Sequence, residues 1–212
     1  MQSNVEAVFG SGRRPHDLLG FERIMRATAR SLRFPHVKAP VNGLSIGDDA
    51  TVWYSGQPIG FNLTRKSTMS LIVAKFGGTS VASPERIQMV AKKLIAKKQA
   101  GHQVVAVVSA MGKTTDELVG LAASLNDNPP AREMDRLLST GEQVSMTLLA
   151  MAIEARGYKA MSFTGRQAGI ETDGMHAKAK IVKVHNERIM EALNKGVIAV
   201  VAGFQGIDAN GD

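Results

Sequence analysis

The chain has 212 residues, of which 44% are hydrophobic and 21% charged, as is typical of a folded protein with one or two domains. It contains no cysteine, so disulfide frameworks, thiolate zinc sites and cysteine nucleophiles are excluded. Its apolar runs are much shorter than the roughly 20 residues that cross a bilayer, and we expect a soluble, cytoplasmic protein. The net charge of +7 favours anionic partners without separating nucleic acid from phosphorylated small molecules.

The first 68 residues differ in character from the rest. They show no sustained helical or strand periodicity, and they contain four of the seven prolines. Residues 21–33 are compatible with a short basic amphipathic helix, which would suit an anion-binding arm or a targeting segment. We predict instead that residues 1–68 are a basic, poorly ordered N-terminal extension, and that residues 69–212 form the folded domain.

From Leu71 onward, short β-branched runs alternate with helical patterns. Strands are predicted at residues 71–75, 103–109, 158–163 and 197–204, and helices at 84–100, 115–125, 132–155 and 177–194. The first helix has a strong start signal, because Ser83 is a capping residue and Pro84 suits the first helical position. This alternation predicts a three-layer α/β/α sandwich, with a mainly parallel open sheet covered by helices on both faces.

Ligands of open α/β sheets bind beyond the carboxyl ends of the strands. After the first strand, Lys75 is followed by Gly77 and Gly78, where backbone N–H groups and a lysine could hold a phosphate. An ordinary glycine turn explains the same residues equally well. After the second strand, a hydroxyl-rich stretch from Ser109 to Thr115 either binds an anion or caps the following helix.

The third helical pattern contains Gly141 and Glu142. A glycine inside a helix costs about 1 kcal/mol, so we interpret it as a break that directs Glu142 into a cleft. The alternative is a capping box formed by Thr140 and Gln143, which have the required spacing. Residues 164–174 follow the third strand and could form a lid. The lysines at 92, 93, 97 and 98 are interpreted as a solvated helix face rather than a nucleic-acid site, since no aromatic platform accompanies them.

Five of these segments occur together, in one order and at similar spacing, in the aspartokinases of the amino-acid kinase family. The segments are Lys75-Phe-Gly-Gly-Thr-Ser-Val81, Val107-Val-Ser-Ala-Met-Gly-Lys-Thr-Thr-Asp116, Leu138-Ser-Thr-Gly-Glu-Gln-Val-Ser145, Ser162-Phe-Thr-Gly-Arg-Gln-Ala-Gly-Ile170 and Gly203-Phe-Gln-Gly206. Residues 69–212 thus resemble the N-terminal part of an aspartokinase catalytic domain. The resemblance implies a carbamate kinase-like fold, truncated after its first part.

It also implies an activity and roles for individual residues. Aspartokinases use ATP and Mg²⁺ to phosphorylate the side-chain carboxylate of L-aspartate, the first step of lysine, threonine and methionine biosynthesis. By similarity, Lys75 would neutralise the transferred phosphoryl group as the catalytic residue. The nucleotide would be bound by Lys75, Phe76, Gly77 and Gly78. The aspartate would be bound by Ser109, Thr115 and Glu142, with the carboxylate of Glu142 on the α-ammonium group and residues 166–172 lining the cleft. No metal ligand is assigned.

Two departures from the family pattern affect the expected activity. The family continues beyond the Gly203–Gly206 motif with a Gly-Arg-Gly-Gly-Ser-Asp segment and further nucleotide-binding strands, which the 212 residues do not include. In addition, Met69 resembles a family start, although 68 residues precede it. We therefore expect a fragment or an over-extended start, with little activity of its own and a homo-oligomeric full-length parent. A non-catalytic anion- or nucleic-acid-binding module that uses residues 1–68, or a kinase for another small carboxylate, remains an alternative. The aspartokinase hypothesis requires Lys75 and Glu142 to converge at one edge of the sheet, and their placement on opposite sides of the sheet would contradict it.

Overall fold

A computed structural model describes residues 70–212 and four short strands that precede them. These strands are β1 (Val5–Phe9), β2 (Leu44–Ile46), β3 (Val52–Tyr54) and β4 (Gln57–Ile59). The sequence analysis did not predict them. Strands β2 to β4 form a three-stranded antiparallel sheet, whereas β1 pairs in parallel with the first strand of the main domain. Residues 21–33 lie outside the described residues, and the division at residue 68 stays a prediction.

The main domain is built around a five-stranded parallel sheet in the order β1-β5-β6-β10-β7. The remaining elements are, in chain order, β5 (Leu71–Phe76), α1 (Pro84–Gln99), β6 (Gln103–Val108), α2 (Thr114–Leu125), α3 (Ala131–Glu154), β7 (Ala160–Phe163), β8 (Ile170–Thr172), β9 (Ile181–Val184), α4 (Glu187–Asn194) and β10 (Ile198–Ala202). The predicted parallel α/β architecture is confirmed.

The sheet carries an apolar core on each face. Alternation along β5 directs Ala74 and Phe76 towards one core, which α1 and α3 cover, and Leu71 and Val73 towards the other, which α4 and β8 cover. Each fully buried Val, Leu or Ile side chain contributes about 1.5–3 kcal/mol to folding. Because both faces are covered, the three-layer arrangement that the sequence predicts is present.

Helix α1 follows its sequence signals closely. The Ser83 side chain accepts a hydrogen bond from the backbone N–H of Arg86 (3.4 Å), and Pro84 occupies the first turn. Gly101, at φ 89°, ends the segment in the left-handed conformation that glycine favours. The lysines of α1 lie on its outer side, as predicted: Lys92 and Lys93 are exposed, and Lys97 and Lys98 are half-buried. No helix among the described residues is long and apolar enough to cross a membrane.

Two predicted elements are wrong. Residues 177–194 are not one helix, because Ile181–Val184 forms β9 and only Glu187–Asn194 is helical. The β-branched run in β9 pairs antiparallel with β8, and this pairing overrides the helical spacing. Residues 164–174 are also not a detached lid, since Ala168 and Ile170 are buried in the core beneath α4.

Candidate functional site

The loops that follow β5, β6 and β10 are joined into one rim at the carboxyl edge of the sheet. The backbone N–H of Ser109 donates to the carbonyl oxygen of Phe76 (3.1 Å), and that of Gly203 donates to Val108 (2.8 Å). The N–H of Gly112 donates to the carbonyl of Gly78 (3.1 Å). These bonds bring the predicted nucleotide-side turn and the predicted amino-acid-side loop together.

The turn after β5 contains two glycines with different surroundings. A Cβ atom on Gly78 would lie 2.9 Å from the carbonyl oxygen of Ala110, so this glycine lets the two loops pack together. A Cβ on Gly77 would meet nothing within 4 Å, and the φ of Gly77 is −73°, which any residue adopts. Of the two glycines, Gly77 is therefore the one whose backbone is open to an approaching ligand.

Lys75 and Phe76 differ in what they offer at this turn. Lys75 is half-buried, and its side chain makes no hydrogen bond or ion pair with the residues described. Phe76 is only 8% exposed and packs in the core beneath α1 and α3. Only the backbone of Phe76 is consequently available to the predicted nucleotide site, whereas the Lys75 ammonium has no partner within residues 70–212 and could meet an anion there.

Glu142 is buried on α3, and its carboxylate oxygen Oε1 accepts a hydrogen bond from the backbone N–H of Ala110 (3.2 Å). No Lys, Arg or His among residues 70–212 lies within ion-pair distance of it. Burial raises the pKa of Glu142, and hydrogen bonding to two backbone N–H groups offsets the increase only in part. A buried carboxylate without a cation, at the rim of an α/β sheet, is a typical feature of a ligand site.

Neither sequence interpretation of Gly141 is correct. Helix α3 runs unbroken from Ala131 to Glu154, and the Thr140 hydroxyl bonds the carbonyl of Leu137 (2.7 Å) in mid-helix, so there is neither a break nor a capping box. A Cβ atom on Gly141 would lie only 2.8 Å from the Cβ of Ala110. The glycine therefore allows α3 to approach the loop after β6, and this approach brings Glu142 to Ala110.

The two predicted hydroxyl residues are placed differently. Ser109 is half-buried in the rim, directly beside the Ala110 N–H that Glu142 binds. Thr115 is exposed in the first turn of α2, where no side-chain hydrogen bond caps the helix. The hydroxyl group of Thr115 is thus not used in helix capping, which was the simpler alternative.

Lys75 and Glu142 lie at the same edge of the sheet, as the hypothesis requires, but on opposite sides of it, so the predicted convergence on one side of the sheet is wrong. They are positioned at the carboxyl ends of the neighbouring strands β5 and β6. Strand alternation places Lys75 on the face with Leu71 and Val73, whereas α3 covers the other face. No hydrogen bond or ion pair joins the two side chains. A ligand that contacts both must therefore lie across the strand ends.

Two residues at the rim were not singled out from the sequence. The Gln205 side chain accepts from the N–H of Gly165 (3.3 Å) and donates to the carbonyl of Ser139 (2.7 Å), which links the loops after β7 and β10 to α3. Ser145 is fully buried, and its hydroxyl donates to the carbonyl of Ser109 (2.8 Å). Both lie within quoted motifs, but their partners are 36 to 66 residues away in the chain.

An ion-pair cluster fixes the last described residues to the same helix. Arg132 and Arg136, in the first turns of α3, both bind the carboxylate of Asp212. Hydrogen bonds from Arg132, and then from Arg136, lower the pKa of Asp212 to about 2. The cluster holds the loop that follows β10 against α3, on the side of the rim that contains Gln205.

Comparison with known proteins agrees with this arrangement. The model of the amino acid kinase family matches residues 70–212. The aspartokinase of Bacillus sp. (strain MGA3) is 58% identical over 144 residues, which cover 68% of this chain and 35% of that protein. Aspartokinase 2 of Bacillus subtilis (strain 168) is 58% identical over 139 residues, covering 66% of this chain and 34% of that protein.

Solved structures give the same result. The aspartate kinase from Synechocystis aligns with a TM-score of 0.57 and 46% identity, over 68% of this chain and 23% of that chain. Aspartokinase III of E. coli, in complex with aspartate and ADP, has a TM-score of 0.58 at 20% identity, over 67% of this chain and 42% of that chain, and supports the fold alone. The chain spans about a third of the length of the curated relatives that it matches. It belongs to the amino acid kinase family, and the similarity to aspartokinases that its motifs predict is confirmed.

Proposed function

We propose that this chain forms the rim at which an aspartate kinase holds its two substrates. The reaction transfers the γ-phosphoryl group of ATP to the side-chain carboxylate of L-aspartate and yields ADP and 4-phospho-L-aspartate. The observation that carries the proposal is the carboxylate of Glu142, buried without a cationic partner among residues 70–212 and bonded to the loop beside the lysine-bearing turn. An amino acid supplies the missing positive charge through its ammonium group.

The chemistry of Glu142 suits an α-ammonium group. Burial penalises the charged form of this carboxyl, so a cation that enters the site relieves an existing penalty. A hydrogen bond between charged groups in such surroundings contributes about 1.5–3 kcal/mol. Ser109, next to the peptide that Glu142 binds, and Thr115, whose hydroxyl does not cap α2, are the proposed donors to the aspartate carboxylates.

The turn after β5 suits the phosphates of the nucleotide. Phosphoryl transfer depends mainly on alignment and on neutralisation of charge, which lysine and backbone N–H groups supply. Lys75 has no partner among the described residues and is the proposed catalytic residue. Gly77 leaves the backbone open to the phosphates. Phe76 packs in the core and Gly78 packs against Ala110, so both residues hold the turn in place. Their backbone groups are their proposed contribution to nucleotide binding.

Magnesium would accompany ATP in this reaction and neutralise phosphate charge. Among residues 70–212, no three or more His, Asp or Glu side chains are grouped so that they could hold a metal ion. We assign no metal ligand and derive no step through the ion.

The wider setting follows from the similarity to aspartokinases. We propose the first step of lysine, threonine and methionine biosynthesis, in the cytoplasm, carried out by a homo-oligomer. Since the chain spans about a third of the length of its relatives, we propose that these 212 residues alone have little kinase activity. We propose further that they retain the contacts to the amino acid, because Glu142, Ser109 and Thr115 all lie within them.

Calorimetric titration of the chain with L-aspartate tests the proposal, with N-acetyl-L-aspartate and L-glutamate as matched ligands. N-acetyl-L-aspartate lacks the ammonium group and should bind at least about tenfold more weakly, which corresponds to roughly 1.4 kcal/mol. Equal binding of the acetylated ligand, or preference for L-glutamate, would contradict the proposal. An ADP-release assay measures turnover in parallel, and rapid turnover by the chain alone would show that the expected low activity is wrong.

A further inference from the structure

Helix α3 holds a single peptide unit of the rim by both of its polar groups. The unit joins Ser109 to Ala110, so that its carbonyl belongs to Ser109 and its N–H to Ala110. The carbonyl accepts a hydrogen bond from the Ser145 hydroxyl (2.8 Å), and the N–H donates to the carboxylate of Glu142 (3.2 Å). In a trans peptide these two groups point in opposite directions, so the two bonds together determine how the peptide plane is oriented.

The Ser145 hydroxyl has no exposure to solvent and a single proton to donate. Its oxygen also lies 3.1 Å from the carbonyl of Glu142, which is the local bond that a serine in a helix can make without tertiary contacts. The bond to Ser109 is shorter and crosses to another element. This bond therefore adds a constraint on the rim that the helix itself does not need.

The neighbouring peptide does not provide the same constraint. The N–H of Ser109 donates to the carbonyl of Phe76, but this N–H belongs to the preceding peptide unit. Without the Ser145 hydroxyl, the hydrogen bonds within the described part of the chain hold the unit between Ser109 and Ala110 only at its N–H, through Glu142. The peptide can then rotate away from Glu142. This rotation weakens the hydrogen bond from the Ala110 N–H, which ties the buried carboxylate to the loop after β6.

We propose that Ser145 is a positioning residue for the amino-acid substrate. It fixes the peptide between Ser109 and Ala110, and through the Ala110 N–H it holds the carboxylate of Glu142 ready for the ammonium group. This role rests on the proposed function, because it assumes that Glu142 binds the ammonium of L-aspartate. It predicts an effect on the proposed amino-acid side of the rim, since the hydrogen bonds of the Ser145 hydroxyl go to Ser109 and Glu142 and not to the turn that contains Lys75.

Ser145→Ala tests this role, with Thr147→Ala as a matched control on the same helix. The Thr147 hydroxyl donates to the carbonyl of Gln143 within α3 (2.7 Å) and bonds no other element that the structure describes. Loss of one neutral hydrogen bond should lower the calorimetric affinity for L-aspartate about three- to tenfold in Ser145→Ala and less than twofold in Thr147→Ala. Ser145→Cys keeps a weak donor in a similar volume and should fall between the wild type and Ser145→Ala. It replaces Ser145→Ala if that variant does not fold.

Amide hydrogen exchange provides a readout that does not depend on the ligand. Exchange of the Ala110 N–H, followed by NMR, should accelerate about tenfold or more in Ser145→Ala, while Val107 within β6 stays protected. Equal acceleration along the whole of β6 would indicate a general loss of stability and overturn the proposal. Unchanged aspartate affinity in folded Ser145→Ala or Ser145→Cys would also overturn it.

The two proposals can fail separately. If the wild-type chain does not bind L-aspartate, the proposed function fails, and the substrate-positioning role fails with it, even where Ala110 exchange still responds to Ser145→Ala. If the wild type binds L-aspartate but Ser145→Ala behaves like Thr147→Ala, only the role of Ser145 is overturned.

Discussion

The two sides of the rim are built in different ways. On the proposed amino-acid side, Gly141, Glu142 and Ser145 of α3 are buried and closely packed or bonded against residues 109 and 110. On the proposed nucleotide side, Lys75 has no partner among the described residues, and Gly77 faces open space. The packing within residues 70–212 thus determines the geometry of the first side, whereas the second side offers an open backbone and a lysine without a partner among those residues.

The glycines also differ in how closely they are packed, and this difference does not follow the two sides of the rim. Gly78 and Gly141 lie where a Cβ atom would come closer than 3.0 Å to another part of the rim. Gly77 and Gly120 lie where a Cβ would meet nothing within 4 Å. One residue type therefore serves close packing at two positions and leaves open space at two others, and substitutions can tell these cases apart.

The largest expected effect concerns Glu142. Glu142→Gln keeps the size of the side chain and an oxygen for the Ala110 N–H, but it removes the charge that should bind the ammonium group. Affinity for L-aspartate, measured by calorimetry, should fall about 10- to 150-fold, as expected for a hydrogen bond between charged groups. Glu154→Gln, on the exposed end of the same helix, is the control and should bind as the wild type does. Unchanged affinity in Glu142→Gln would leave the buried carboxylate without a role in binding.

Gly141→Ala and Gly120→Ala should have opposite effects on stability. Alanine favours a helix over glycine by about 1 kcal/mol, and at Gly120 on α2 nothing opposes this gain, so stability should rise by about 0.5–1 kcal/mol. At Gly141 the new methyl group would lie 2.8 Å from the Cβ of Ala110, and overpacking costs about 1–3 kcal/mol. We expect a net loss of up to about 2 kcal/mol in urea denaturation. A gain in both variants would show that α3 does not need its close approach to the loop.

A smaller difference is expected between the two glycines of the turn after β5. Gly78→Ala brings a methyl group to 2.9 Å from a backbone oxygen that cannot move easily, and it should destabilise the fold by about 1 kcal/mol. Gly77→Ala should raise the free energy of unfolding by at most about 0.5–1 kcal/mol, because the φ of Gly77 suits alanine. The comparison is made by urea denaturation. Equal destabilisation of the two variants would mean that the turn is packed on both sides.

Local signals in the sequence predicted most of the fold, and contacts between distant residues explain the errors. The strand β5 and the helix α1 were predicted from apolar periodicity and a capping serine, which act within one element. The apolar spacing of residues 177–194 also fitted a helix, but β9 is decided by its pairing with β8. The interpretation of Gly141 as a helix break was wrong for a similar reason. Its packing partner, Ala110, is distant in the chain, so local signals do not show that a small residue is needed there.

The residues of the candidate site were singled out to a similar extent, and their roles stay predictions. The rule that ligands bind beyond strand ends singled out Lys75, Gly77 and Ser109, and the glycine inside the third helical pattern, together with the family motif, singled out Glu142. Ser145 was missed because its partner lies 36 residues earlier in the chain. A signal was present, since Ser145 occupies the same buried face of α3 as Met146 and Leu149. A polar residue on an apolar stripe requires a partner, and the strand ends are where one could have been sought.

The pH dependence of stability gives the smallest effect and separates Glu142 from the other carboxylates. Because burial raises the pKa of Glu142 above its ordinary 4.5, the folded state binds its proton more tightly than the unfolded state does. Stability therefore falls as pH rises from 4.5 through the folded pKa. Glu142→Gln cannot ionise and does not lose this stability. The free energy of unfolding of the variant minus that of the wild type should therefore increase with pH across that window and then remain constant.

Asp212 does not interfere with this measurement. Its pKa, lowered to about 2 by Arg132 and Arg136, means that its contribution is present above 3.8 and is lost only as pH falls towards 2. The loss is common to the wild type and Glu142→Gln and cancels in the difference. Saturating L-aspartate should reverse the pH trend of the wild type, because the ammonium group favours the ionised carboxylate. Urea denaturation between pH 4 and pH 8 measures both effects, and a difference that is independent of pH would show that Glu142 is not desolvated in the folded protein.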